Sequence, residues 1–500
     1  MDFTERLKSL DKPDMILLIT DQERATQHFP VGWEQENLHS MTFLKQNGFS
    51  FDRAFCNSCM CSPSRATLFT GTYPAQHQVT QTLTYGGDYS PAEVVLNNTL
   101  PNLARMLIGN GYDVQYRGKW HLSKGEGENG LTASDVAMYG FKGWQAPDAG
   151  EDTKPENFGG GFANHDKAYV QQSIEFLEQV RRRRSHGDHQ PYCLVISLVN
   201  PHDVLCYPGG FNYGYNDQFL IGDIGLPKTV TEQLLLNKKP MAQEQTRITA
   251  AGMLGPLPTD ADKLKYLNFY GNMLKWVDKE IGFFLEALYQ KDAQGNSLAD
   301  QAIVIRTADH GEMGMAHGGM RQKAFVAYEE ALRVPLVISN PVLFPPEASY
   351  KNTLNLASLI DLMPTIATIT GTTPPDGLRG TDLVPLLQED IPVQSAILFT
   401  FDDTKASANN MASAVKASNR LRCIRTTEWK YDYYFHALGA YPVEYELYNL
   451  IDDPDESTNL AYDPAYAHIR QQLAAELKVL EAEKLLISPQ KATIDHVYEN

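Results

Sequence analysis

From the N-terminus to residue 390, short apolar runs alternate with amphipathic stretches. The runs fall at 15–20, 112–117, 193–199, 302–307 and 334–339. Several are rich in β-branched residues, which predicts strands. Between them, 168–182 and 263–289 carry apolar residues at helical spacing. Strands alternating with helices predict an α/β fold, with a large mixed, mostly parallel sheet sandwiched by helices. Beyond residue 390 the pattern changes. Segments 396–401, 421–434 and 444–450 read as short strands separated by turn residues, and Ile469, Leu473, Leu477 and Leu480 recur at helical spacing. The expectation is a catalytic domain over 1–390 and a smaller C-terminal α+β subdomain over 391–500. That subdomain would comprise a small antiparallel sheet, a helix and a tail at 484–500 available to pack on a neighbour.

Five hundred residues are ample for a buried core. Lys and Arg number 43 against 61 Asp and Glu, a formal net charge of −18. That sign argues against nucleic acid or an anionic membrane surface as the main partner. It does not exclude an anionic substrate, because a few cations inside a cleft override net charge locally. Apolar runs such as Met15–Ile19 are about a quarter of the ~20 residues that a bilayer span needs. Met1–Pro13 is charged and has no apolar signal core, so a soluble, cytoplasmic protein is expected. Six cysteines are too sparse for a disulfide scaffold, yet Cys56, Cys59 and Cys61 lie close together. The run Arg181–Arg184 ends a predicted helix, where a solvated, dipole-favoured C-terminus accounts for it.

Polar residues directly follow four of the strand candidates. Asp21 and Gln22 follow MILLIT, Lys119 and His121 follow YDVQYRG, His202 follows CLVISLVNP, and Asp309 and His310 follow AIVIRTA. In open parallel sheets the ligand crevice lies beyond the carboxyl ends of the strands, so parallel neighbours would bring these residues to one edge. A lone Asp or His in such a place is usually a cap or a surface residue. Four clusters of metal-ligand and acid–base side chains together point to a shared site. A fifth segment, Cys61-Ser62-Pro63-Ser64-Arg65 running on to Leu68-Phe69-Thr70-Gly71, is more specific. Pro63 suits the first turn of a helix. Cys61 then sits at the helix start, where free N–H groups favour an anion, and Arg65 reaches back to the same place from one turn on. Two blander alternatives compete. Cys56-x-x-Cys59 as half of a zinc site lacks a second Cys pair. Cys61 as an inert buried thiol is the usual fate of a lone cysteine.

The Cys-x-Pro-Ser-Arg and Leu-Phe-Thr-Gly pattern of Cys61–Gly71 resembles that of the sulfatase family of the alkaline-phosphatase superfamily. The likeness continues through Gly118-Lys119-Trp120-His121, Asp309-His310-Gly311-Glu312, Tyr328-Glu329-Glu330 and Arg333-Val334-Pro335 to Glu446–Leu450 and Asp453–Leu460. The resemblance implies an alkaline-phosphatase-like fold. It implies that a formylglycine-generating maturation enzyme oxidises Cys61 to an aldehyde whose hydrate attacks a small-molecule sulfate monoester. By position, Asp21, Gln22, Asp309 and His310, with the Cys61-derived hydroxyl, would hold one divalent cation. Arg65 and Lys119 would fix the hydrate, His121 would deprotonate it for sulfate release, and His202 and Lys323 would grip the sulfate and the leaving oxygen.

Spacing around Lys323 departs by one residue on each side, so Gln322 or Arg321 compete for its role, and His317 in the same loop is a candidate contact. Gln22 stands where many sulfatases have a second Asp, and His310 where many have Asn. An imidazole suits Mn²⁺ better than an all-oxygen shell does. Ca²⁺ is expected first on family grounds, with Mn²⁺ second. The Asp-Gln and Asp-His pairs also resemble those of phosphonate monoester and phosphodiester hydrolases, which use the same formylglycine. An arylsulfatase-type hydrolase is the leading reading, a phosphonate or phosphodiester hydrolase the second, and an anion-binding protein with unmodified Cys61 the third. Tyr85, Trp144, Tyr207, Tyr213 and Tyr215 are candidates for the mouth of the site. Homo-oligomerisation is left open by the sequence.

Overall fold

The computed structural model describes residues 2–85, 90–125, 130–152, 154–348, 351–406 and 414–486. Its main sheet contains β1 (Asp14–Asp21), β2 (Gly48–Phe51), β3 (Asp113–Gly118), β4 (Tyr192–Pro201), β5 (Ala302–Ala308), β6 (Leu336–Ser339) and β7 (Asn352–Thr353). Across the sheet the order is β3–β4–β1–β5–β6–β2–β7. The four strands β3, β4, β1 and β5 run parallel. β6 turns antiparallel to β5, and β2 antiparallel to β6. The run expected at 334–339 is therefore a strand, but it is outside the parallel set.

The central strands are buried along their whole length, as strands covered on both faces must be. Their two-residue period sends alternate side chains to two cores. Met15, Leu17 and Ile19 join Cys193, Val195, Ile303 and Ile305 on one face. Ile16 and Leu18 join Leu194, Ile196 and Val304 on the other. Full burial of each such side chain contributes roughly 1.5–3 kcal/mol relative to exposure. The second face is covered by α2 (His165–Ser185) and α4 (Asp260–Tyr289); the first carries α1 (Cys61–Thr70). Between α2 and α4 in sequence lies α3 (Met241–Leu254). No helix among the described residues is long and apolar enough to cross a membrane.

A second sheet is antiparallel throughout, β8 (Ala396–Phe401), β9 (Arg420–Thr426), β10 (Trp429–Phe435) and β11 (Glu444–Asn449), in that order. The segment expected as one strand at 421–434 is a hairpin. Thr426 Oγ1 accepts the Trp429 N–H at 2.9 Å and closes its turn. Helix α5 (Ala467–Leu485) buries Leu473 and Leu477 against this sheet. The expected tail lies, from residue 487, outside the described residues. Of the Arg181–Arg184 run, Arg183 meets Asp113 at 3.4 Å, Arg184 pairs with Asp14, and Arg181 donates to the Ala287 carbonyl.

The two sheets are joined by a buried polar network. Lys430 on β10, with no exposed surface, lies 2.9 Å from Glu329 and 2.7 Å from Glu456. Arg425 on β9 approaches Glu329 through two nitrogens at 3.2 Å. Removing the cation from such a network leaves buried carboxylates uncompensated, which costs about 3–5 kcal/mol. Lys430→Met is expected to lower the stability read from the urea midpoint by that amount. A change below about 1 kcal/mol would show that Arg425 alone suffices.

Candidate active site

Asp21 ends β1, Lys119 and His121 follow β3, His202 follows β4, and Asp309 and His310 follow β5. Parallel order brings all of these carboxyl ends to one edge, as expected. Gly118 makes the turn out of β3. Its φ is +97°, and a Cβ there would lie 1.9 Å from the Ser197 carbonyl oxygen of β4, so only glycine fits. Lys119 is thereby set beside β1.

Helix α1 is buried at every position and begins at Cys61, with no side chain capping its first N–H groups. Its gly-terminated C-end allows a short, wholly internal helix whose first turn faces the sheet edge. Cys61 Sγ lies 3.1 Å from His310 Nε2 and 3.6 Å from Asp21 Oδ1. One turn on, the Arg65 guanidinium clamps both acids. Nε donates to Asp309 Oδ2 at 2.9 Å, Nη2 to Asp21 Oδ2 at 3.1 Å, and Nη1 to Ser197 Oγ at 2.7 Å. Lys119 Nζ adds a contact to Asp21 Oδ2 at 2.5 Å.

One ligand atom from each of Asp21, Cys61, Asp309 and His310 falls within 4.8 Å of the others, and all four residues are buried. His310 Nδ1 lies 3.0 Å from the Gly311 carbonyl, to which it must donate. The lone pair is therefore on Nε2, which faces the cluster, the tautomer a metal ligand requires. Two carboxylates, an imidazole lone pair and the Cys61 position thus fit a divalent cation. Gln22 is set differently. Its amide NH₂ donates to Glu312 at 2.5 Å and its oxygen accepts from Lys323 at 2.6 Å. That oxygen has only its second lone pair for an ion.

Lys323 lines the cleft with Cys61, His121 and His202. Gln322 lines it too, with its N–H on Glu312 at 3.0 Å. Arg321 does not; it donates to the carbonyls of Ala250 and Gly255 and lies over the Tyr266 ring. His317 does not line the cleft either. It is buried, stacked at 3.6 Å on Tyr328 and bonded to Glu232 at 2.7 Å, away from the cleft lining. Among the five candidate aromatics only Tyr85 lines the cleft. Trp144 and Tyr215 are anchored by hydrogen bonds to Gly118 O and Asp203, and Tyr207 and Tyr213 pack on other rings. Cys56 and Cys59 face one another at 3.8 Å outside the ligand cluster.

Three contributors are not legible as site residues. Ser197 orients Arg65; a serine within an apolar strand was its one sequence signal. Asp148 accepts the Trp120 and His121 N–H groups at 2.6 and 2.9 Å and shapes their turn. Glu312 holds Gln22.

Burial would raise the Asp21 carboxyl, but the charges of Lys119 and Arg65 outweigh it and hold it well below its ordinary value. Burial, then the charge of Lys119, pushes His121 and His202 well below theirs, so both are neutral bases at neutral pH. His121 Nε2 donates to the Leu83 carbonyl at 2.7 Å, and its buried Nδ1 has no partner among the described residues. The Cys61 thiol is pushed up to about 11, by burial first and Asp21 second. As a thiol it stays protonated and is a poor nucleophile.

Residues 13–372 match the family model for sulfatases. The chain belongs to the sulfatase family, whose members are sulfuric ester hydrolases. A second model, for the C-terminal part of N-sulphoglucosamine sulphohydrolase, matches residues 317–483. An ulvan-active sulfatase of Formosa agariphila is 24% identical over 94% of this chain and 81% of its own length. A solved 2-O GAG sulfatase superposes with a TM-score of 0.71 at 21% identity, over 95% of this chain and 92% of that one. The phosphonate monoester hydrolase of Agrobacterium radiobacter shares the fold at a TM-score of 0.65 and 23% identity, over 94% and 96%. The family's alkaline-phosphatase-like fold is thus the fold of this chain.

The donor set predicts that the full chain unfolds at a higher temperature with Ca²⁺ or Mn²⁺ than with a chelator. Saturation at a hundred times the dissociation constant stabilises by about 2.7 kcal/mol. Asp309→Asn is expected to abolish most of that shift, and an equal shift in the variant would move the ion elsewhere.

Proposed function

We infer that this sulfatase hydrolyses small-molecule sulfate monoesters of arylsulfatase type, with Cys61 matured to formylglycine. The observation that carries this reading is the position of Cys61. It is the first residue of a buried helix, inside a carboxylate–imidazole cluster, clamped by Arg65 and opening on a cleft of about 370 Å³. Its surroundings suppress a thiolate, so the side chain is better suited as the precursor of a hydrated aldehyde than as a sulfur nucleophile.

In this reading Asp21, Asp309 and His310, with the amide oxygen of Gln22, hold one divalent cation, Ca²⁺ or Mn²⁺. Bound there, the ion supplies charge neutralisation for the ester and a lowered hydroxyl pKa. Arg65 and Lys119 keep Asp21 ionised and orient the hydrate. The matured side chain would supply one hydroxyl to attack sulfur; its O–S bond would form as the S–O bond to the alcohol breaks, and its proton would pass to the departing alcohol oxygen. His202 and Lys323 stabilise the sulfate oxygens and the departing oxygen. His121 Nδ1 then takes the proton of the second hydroxyl, the C–O bond to sulfate breaks, and the aldehyde is restored. The reading needs a formylglycine-generating enzyme as maturation partner, and it treats 1–390 as the catalytic body with 391–500 as its C-terminal layer.

The Asp21-Gln22 and Asp309-His310 pairs favour a second reading, a phosphonate monoester or phosphodiester hydrolase on the same formylglycine. Comparison of kcat/KM on 4-nitrophenyl sulfate and 4-nitrophenyl phenylphosphonate, with Ca²⁺ or Mn²⁺, separates the two. The sulfate ester is expected to win by orders of magnitude, and the reverse order would move the chain to the second reading. The mass of the peptide carrying Cys61 should be that of the aldehyde. A thiol in protein from a host with the maturation enzyme would leave only an anion-binding role.

His121 generates a further expectation. Loss of a general base costs about 10²–10⁴-fold. His121→Gln should release alcohol in a burst equal to the enzyme concentration and then turn over slowly, because only sulfate release is impaired. A base is competent above its folded pKa, and that of His121 lies well below the ordinary histidine value. The acid limb of the sulfate-release step in the native enzyme should therefore lie below the usual histidine range. A limb within that range would assign the base elsewhere.

A further inference from the structure

Beyond the sulfate end, the cleft has two unlike walls. Leu205, with Met253 and Leu254 of α3, forms an apolar one. The rest carries four carboxylates, Glu93, Glu151, Asp152 and Asp403, against the ammonium groups of Lys154 and Lys405. Lys154 is already paired with Asp152 at 3.3 Å. Glu93 is paired with Lys124 at 2.8 Å and accepts from Thr84. Asp403 accepts the Thr82 N–H at 2.9 Å. Glu151 differs from these three. Among the described residues, its Oε1 takes a 3.3 Å contact from Asn157 and its buried Oε2 has no hydrogen-bond partner. Burial, then neighbouring Asp148, raises its carboxyl to about 8. A buried polar atom on a cleft wall without a partner is normally satisfied by what enters the cleft.

These walls select among alcohols. A carboxylate accepts hydrogen bonds from hydroxyl or ammonium groups, and a carboxylic acid in the same place still offers an acceptor oxygen. A uronate or a second sulfate on the same substrate would meet carboxylates there, and like charges brought together disfavour binding. The net charge of −18 adds a long-range term of the same sign. Lys323 sits with the reacting sulfate, whereas Lys154, on the far wall, is paired with Asp152.

We propose that the alcohol half of the substrate is a neutral polyol or an ammonium-bearing group, held by Glu151 and its neighbouring carboxylates, and that polyanionic sulfated glycans are excluded. This rests on the sulfatase reading above and extends it to the part of the substrate that the reaction leaves unchanged.

Three aryl sulfates test it: the 4-(aminomethyl)phenyl, 4-(hydroxymethyl)phenyl and 4-(carboxymethyl)phenyl esters. Each has an insulating CH₂, so the leaving phenols are alike and only the remote charge differs. With the metal-loaded, matured full-length enzyme at low salt, the ammonium ester should exceed the carboxylate ester by about tenfold or more in kcat/KM. The hydroxyl ester should fall between them, and added salt should narrow the gap. Above pH 8, where the Glu151 carboxyl is ionised, Glu151→Gln should shrink the gap by raising KM for the ammonium ester, with Asp152→Asn as a second variant should the first fail to fold. Turnover of all three with the carboxylate ester equal or best would overturn the proposal and leave the sulfatase reading intact. Turnover of none, with the Cys61 aldehyde verified by mass, would overturn both.

Discussion

One buried guanidinium holds this site together. Arg65 is almost wholly buried, as are Asp21 and Asp309, and its nitrogens reach both acids at 2.9 and 3.1 Å. Charges in such a place are tolerated only when paired with good geometry, and an orphaned partner costs several kcal/mol. The pairing therefore dictates more than local order. Asp21 and Asp309 end adjacent parallel strands, so the helix bearing Arg65 has to dock across those two strand ends. Cys61, four residues earlier, then lies one turn away on the same helix face. The position of Cys61 thus follows from the ion pair, and Ser197 on β4 accepts from the remaining nitrogen, Nη1.

The parts legible in the sequence are those governed by local pattern. The short continuous apolar runs of MILLIT and AIVIRTA mark strands, and residues just past a parallel strand must lie at the carboxyl edge. Pro63 after Cys61 marks a helix start. These rules bring Asp21, Lys119, His121, His202, Asp309 and His310 together without knowledge of any contact. The parts that escaped depend on long-range pairing. Nothing in Leu336–Ser339 says that it runs against its neighbour, because an apolar strand reads the same in either direction. Tyr215 and Trp144 look like mouth residues, but their polar tips already have partners inside the protein. His317 looks like a site residue by proximity in sequence, yet its loop carries it to Glu232 and Tyr328.

Lys323 shows how tertiary structure absorbs an irregular spacing. Gln322 and Phe325, on either side of it, take left-handed φ values of 73° and 58°. Such residues bend the chain sharply at a steric cost, and they persist where the surroundings hold them. Here Glu312 accepts the Gln322 N–H, and the Tyr434 hydroxyl of β10 donates to the Phe325 carbonyl at 3.2 Å. A one-residue departure in sequence is taken up by the path of the loop, and the ammonium group still arrives at Gln22.

The same contacts give the C-terminal sheet a part in the active site. Three residues past Phe325, the Tyr328 hydroxyl donates to Glu446 of β11, and Glu329 meets Arg425 and Lys430. The segment between Asp309 and Glu329 is therefore anchored at one end by the carboxyl edge of the main sheet and at the other by the antiparallel sheet. Lys323 lies between those anchors. Its reach into the cleft depends on both being in place, so the C-terminal layer positions a residue that lines the cleft. That dependence gives a physical reason for the buried Lys430 network, since an apolar contact of equal size would hold the sheets together but would not fix their register so narrowly.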